Sequence, residues 1–155
     1  MATRSRIGME MPDGKIKPIY CHWDGYIKDG VGEMLEKYYQ DPKKIEELLK
    51  LGDISSLGSF YDEEISKGDW KKFDELDPAK RSELIEKAVD CTIAYKDRGD
   101  DEPTRIDENE EEFVSKLGKC GEEYTYLYKE DFTGVYRWHV YETPYAKWLS
   151  EELKK

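Results

Sequence analysis

The chain has 155 residues, 39% of them charged and 37% hydrophobic, with 36 acidic against 25 basic side chains for a net charge of −11. That length fits one domain, residues 1–155, with a sizeable core, and 12 Tyr, 4 Trp and 4 Phe argue against global disorder. So acidic a chain is a poor direct binder of duplex DNA, and no apolar run approaches a transmembrane span or a signal-peptide core. Cys21, Cys91 and Cys120 are odd in number and widely spaced, which disfavours a disulfide framework. The expectation is a soluble protein of a reducing cytoplasm.

The first strand-like runs flank Pro12-Asp13-Gly14-Lys15, and Asp-Gly is a strong hairpin signal. A two-residue Asp13-Gly14 loop would set Met11 opposite Ile16, Met9 opposite Pro18, Ile7 opposite Tyr20 and Ser5 opposite His22. The other face would then pair Glu10 with Lys17, Arg6 with Cys21 and Arg4 with Trp23, the last suiting cation–π stacking. The open end of this hairpin gathers Arg4, Arg6, His22, Trp23 and Asp24.

A glycine-containing loop leads to a short helix over 33–39, with Leu35, Tyr38 and Tyr39 on one side. Asp41-Pro42 is an N-cap followed by an N1 proline, and Ile45, Leu48 and Leu49 form the buried stripe of the next helix. Residues 53–76 read as a long connection anchored by Phe60, Tyr61, Ile65, Trp70 and Phe73. Asp77-Pro78 opens a helix to about Asp90 with Leu84, Ile85, Ala88 and Val89 inward, and 91–95 suits a middle strand. A short helix over 110–117 carries Phe113, Val114 and Leu117, with glutamates at its start where the dipole favours them. Residues 124–129 and 135–141 form a second hairpin rich in Tyr and Trp. Thr143-Pro144 caps a terminal helix with Tyr145, Trp148 and Leu149 apolar. Two hairpins and a middle strand with four to five helices give an α+β fold built on an antiparallel sheet.

Thr3-Arg4-Ser5-Arg6-Ile7-Gly8, the run from Ile19 to Tyr26 (IYCHWDGY), Leu51–Gly58 and Tyr95–Asp100 resemble a family of small uncharacterised bacteriophage and prophage proteins. The resemblance covers roughly the first 60 residues and then recurs in patches. It implies a phage setting and supplies no activity and no active-site residues. Through the same resemblance Arg98 joins Arg4, Arg6, His22, Trp23 and Asp24 as a candidate ligand-binding set.

Charge is unevenly spread. Residues 97–112 hold nine acids against Arg98 and Arg105, and Asp97, Asp100, Asp101, Glu102, Asp107, Glu108, Glu110 and Glu111 form a candidate contact surface for a basic protein. Catalytic sets are incomplete. Cys21 and His22 are neighbours on a strand and face apart, no GxSxG elbow exists, and zinc-like ligand spacing is absent. Gly30-Val31-Gly32 lacks the phosphate-loop lysine, although its amides would suit an anion. The Tyr124, Tyr126, Tyr128, Tyr136 and Trp138 stripe reads first as core and second as a base-stacking platform.

These features point to a non-enzymatic binding protein, of phage or prophage origin, that blocks or sequesters a host factor with a basic surface. The alternative is a small-nucleotide-binding protein using the hairpin end. A small hydrolase based on Cys21 or His22 is the third reading. No metal or cofactor is expected, membrane association is not expected, and a homodimer is possible.

Overall fold

The computed structural model describes residues 2–68, 74–99, 105–118, 121–142 and 147–155. Among these residues seven strands form one open mixed sheet: β1 (Arg4–Met9), β2 (Ile19–Cys21), β3 (Ile54–Ser56), β4 (Ile93–Ala94), β5 (Glu122–Glu130), β6 (Tyr136–Tyr141) and β7 (Lys147–Trp148), in the order β4-β3-β2-β1-β5-β6-β7. Among the described residues six helices accompany them: α1 (Val31–Tyr38), α2 (Pro42–Lys50), α3 (Glu63–Lys67), α4 (Pro78–Ala88), α5 (Glu110–Ser115) and α6 (Leu149–Leu153). The fold is α+β, and both hairpins share the sheet. They join through a parallel pair, β1 beside β5, and β2 and β3 are also parallel, so the sheet is not antiparallel throughout. A parallel neighbour needs a long crossover, and the chain from residue 22 to 121 supplies one.

The first hairpin pairs Ser5 with Cys21, Arg6 with Tyr20 and Ile7 with Ile19, one residue away from the register that a two-residue loop implies. The loop is Pro12-Asp13-Gly14: the Gly14 amide donates to the Met11 carbonyl (2.8 Å) and the Met11 amide to the Lys15 carbonyl (2.9 Å). Proline fixes φ near −65° and seeds a type I turn, and Gly14 follows at φ +84° to make the three-residue loop. Phe132-Thr133-Gly134 closes the second hairpin the same way, with Gly134 at φ +86° and Asp131 paired to Val135.

Main-chain alternation divides the sheet into two faces. Ile7, Met9, Ile19, Cys21, Tyr126, Tyr128, Trp138 and Val140 pack with Leu35 and Tyr39 of α1 and its C-cap, with Ile45, Leu48 and Leu49 of α2, and with Leu149 of α6. Of the aromatic stripe, Tyr126, Tyr128 and Trp138 are therefore core, Tyr124 is half-buried against it and Tyr136 is exposed. The buried polar tips find backbone: Tyr126 donates to the Gly25 carbonyl (2.7 Å) and Trp138 to the Tyr39 carbonyl (2.8 Å). The opposite face is covered by α5, where Phe113, Ile16, Leu127 and Tyr141 make a smaller cluster. Gly8 leaves the space for it, since a Cβ there would lie 2.7 Å from Ile16 and 3.0 Å from the Phe113 ring.

Helix starts follow their caps. Asp41, Asp62, Asp77 and Asn109 each accept an amide of the first turn. Several inward assignments change. Tyr38 turns outward while Leu35 and Tyr39, four apart, take the buried stripe. On α4, Ile85 and the following Val89 are exposed, and Leu84 and Ala88 are half-buried. Residues 53–68 contain β3 and α3 rather than a plain connection, with Phe60 exposed. The terminal helix starts after Trp148, which serves as its N-cap. Trp70, Phe73, Thr143, Pro144, Tyr145 and Cys120 lie outside the described residues.

Candidate functional site

Beyond Cys21 the strand continues as two backbone bonds, His22 N–H to the Ile54 carbonyl (3.1 Å) and Trp23 N–H to the Ser55 carbonyl (3.0 Å). These fix Trp23 at the sheet's end. Its indole packs edge-on against the His22 ring at 4.7 Å, and His22 Nδ1 is bonded to the Tyr20 hydroxyl at 2.8 Å. Asp24 and Asp29 then turn the chain with φ of +55° and +56°, a conformation that short polar side chains tolerate. The loop they bound is closed by its own backbone: the Val31 amide donates to the Asp24 carbonyl (2.8 Å) and the Gly32 amide to the Tyr26 carbonyl (3.1 Å). The amides that would have suited an anion are thus occupied, and Asp24, Asp29 and Glu33 surround them.

A groove of about 410 Å³ opens between this loop, α1 and the segment after α4. Trp23, Tyr38 and Val89 are its exposed walls, at 45%, 41% and 70% accessibility. Met34 and Leu57 contribute apolar surface beneath them. Its ionisable lining is Asp24, Asp29, Glu33 and Asp90 against Lys37, whose ammonium lies 5.4 Å from the Tyr38 ring. This is an aromatic, acid-lined groove suited to a cationic side chain with an apolar stem.

The structure gathers only part of the expected ligand set here. Trp23 and Asp24 line the groove and His22 braces Trp23 from behind. Arg6 is diverted to the other side of the sheet. Its guanidinium sits 4.8 Å from the Phe113 ring centre, donates to the Phe113 carbonyl (2.8 Å) and pairs with Asp107 at 3.2 Å, so it is unavailable to a ligand at the hairpin end. Arg4 lies over Gly121, where a Cβ would come within 2.7 Å of its guanidinium. Arg98 ends the 3-10 turn Tyr95–Arg98 that follows the edge strand β4, beyond β3 from the hairpin.

The acidic segment also divides. Asp107 is completely buried, bonded to Arg6 and Lys116, while its backbone pairs with Ile16. Burial raises the Glu110 carboxyl, but bonds from Lys129 and Tyr141 outweigh it and hold the group below its usual range. Asp97 is held low in the same way, burial being overcome by bonds from Ser66 and Tyr61 and by the Lys96 charge. Asp97, Asp107 and Glu110 therefore serve the fold rather than an outer contact surface. Glu108 and Glu111 face solvent, and Asp100, Asp101 and Glu102 lie outside the described residues.

Cys21 is buried on the helix-covered face, and burial pushes its thiol up to about 12, which leaves it protonated and inert. Among the described residues no group of three His, Cys, Asp or Glu side chains is placed to hold a metal ion. Nor, among them, is any helix long and apolar enough to cross a membrane. Compared with protein-family models, with curated proteins and with solved structures, the chain matches none.

The sequence pointed to Trp23 and Asp24 but missed Tyr38, Glu33, Val89 and Asp90. The available signal was Val89-Asp90 just past the end of a weakly amphipathic helix, an apolar residue with no stripe to join.

Proposed function

We propose that this is a non-enzymatic binding protein that holds a basic segment of a protein partner in the Trp23–Tyr38 groove. The observation that carries the reading is the groove's composition: exposed aromatic walls with four carboxylates against one ammonium. An arginine entering it stacks on Trp23 while its fork reaches Asp24, Asp29 or Glu33, gaining both cation–π and charge-assisted bonds. The net charge of −11 draws a cationic partner in from a distance. The resemblance to phage and prophage proteins makes a host factor the expected partner, blocked by occupancy of its basic surface. The inert Cys21, facing away from His22, supports a binder over a hydrolase.

Capture from host lysate tests this, with quantitative mass spectrometry of the retained proteins. Wild type should retain a basic host protein, and retention should fall with added salt. Trp23→Ala and the pair Glu33→Lys with Asp90→Lys should lose it, while Glu108→Lys with Glu111→Lys should keep it. Loss only with the Glu108 and Glu111 changes would move the contact to the acidic segment. No retained protein at low salt would remove the binding function itself.

A further inference from the structure

At the opposite end of the first hairpin, a cleft of about 520 Å³ lies between the Pro12-Asp13-Gly14 turn and α2. Its size falls within the range of small-ligand pockets, and its lining is mostly apolar. Met9 and Leu49 form buried surface inside it, Met11 is half-buried, and Ile106 is 55% exposed at its mouth.

The three-residue loop decides the charge of this cleft. With Met11 bonded to Lys15 and Glu10 bridged to Ile16, the register sets Lys15 and Lys17 on the same face as Met9 and Met11. A two-residue loop would have put both lysines on the other face. Lys50 of α2 adds a third ammonium to the lining. The carboxylates of the lining are Asp13 and Glu46, Asp13 accepts the Lys15 amide at 3.0 Å within its own turn, and Glu108 beside the cleft pairs with the Lys15 ammonium at 3.9 Å. Three ammoniums against Asp13, Glu46 and Glu108 make this rim balanced where the chain as a whole, with 36 acids to 25 bases, is acidic.

We propose that this cleft binds a linear anionic amphiphile, a medium-chain carboxylate, with the alkyl tail against Met9, Met11 and Leu49 and the carboxylate between Lys17 and Lys50. Flexible thioethers adapt to a tail of variable shape, and lysines serve as movable point charges for its head. The site is separate from the acidic groove and does not depend on what that groove binds.

The methionines give a direct readout, because Met9 and Met11 line this cleft and Met34 lines the acidic groove. Protein labelled with 13C at the methionine methyls is titrated with dodecanoate below its micelle concentration. Saturable shifts of the Met9 and Met11 methyls, with Met34 unmoved, are the expected result. Lys17→Gln with Lys50→Gln should weaken the apparent affinity about tenfold or more while the unliganded spectrum stays folded. Dodecyltrimethylammonium, with the same tail and the opposite charge, should fail to saturate. No shift of Met9 and Met11, equal shifts from the cationic amphiphile, or equal movement of Met34 would each overturn the proposal. An arginine-rich peptide in the same spectrum should move Met34 alone, so failure at one site is distinguishable from failure at the other.

Discussion

On the face turned toward α1, α2 and α6 the sheet is sealed by apolar side chains, whereas under α5 it is sealed largely by charge. The first seal uses Ile7, Leu35, Tyr126 and Trp138, with hydroxyl and indole tips absorbed by backbone carbonyls. The second sets the Arg6 guanidinium against Phe113 and Asp107, with Lys116 closing over the same carboxylate. Its far end is Glu110 bonded to Lys129 and Tyr141. Apolar burial is non-directional and tolerates small losses. A buried ion network stabilises only while each partner is present, because an unpaired charge is left without water. A six-residue helix has too little apolar surface to hold itself down, and directional bonds make up the difference.

The sharpest way to break this contrast is Arg6→Leu. It should destabilise the protein by about 3–5 kcal/mol in urea unfolding, since Asp107 keeps only Lys116. Replacing Arg6, Asp107 and Lys116 together by apolar residues of similar size should recover most of that loss. A single-variant effect below about 1 kcal/mol would mean that Lys116 alone neutralises the site. On the apolar face Leu35→Ala should cost about 2–5 kcal/mol by leaving a cavity, with little dependence on salt. Gly8→Ala drives a methyl into Ile16 and Phe113 and should cost about 1–3 kcal/mol by overpacking.

Acidification separates the faces further. Burial, and next the Lys129 charge, hold His139 below its ordinary 6.5. The unfolded chain therefore binds the proton more readily, so the stability is present above about 6.5 and is lost as pH falls from there through the lowered value. His139→Gln should flatten unfolding midpoints across that window relative to wild type. At lower pH Glu110 and Asp97, both held low, act in the same direction as pH falls through their depressed values. Glu10 and Glu36, raised by burial, oppose them, and the paired comparison isolates the histidine. An unchanged profile in the variant would remove His139 as a contributor. The smallest effect belongs to the groove: Val89→Ser should change stability by no more than about 0.5 kcal/mol, because that side chain is 70% exposed. Its effect should appear in partner retention instead.

Local signals were reliable where local physics decides. Asp41-Pro42 and Asp77-Pro78 started helices because a capping carboxylate and a proline at N1 need no tertiary help. The second hairpin could be read from alternating tyrosines and Gly134. Of the candidate groove, Trp23 and Asp24 were visible because they follow a strand ending in turn residues.

The sequence by itself determined an α+β chain of two hairpins and capped helices, an acidic character, and an adjacent cysteine and histidine that face apart where β2 ends. Tertiary structure decided which carboxylates are spent on the fold, since Asp107 and Glu108 are neighbours with equal charge and only the first meets Arg6. It also decided the parallel pairing of β1 with β5, a contact between residues more than a hundred positions apart. Finally, one residue of loop length, the third member of Pro12-Asp13-Gly14, fixed which face of the hairpin carries Lys15 and Lys17. The side-chain period of a strand is two, so a shift of one exchanges the faces completely.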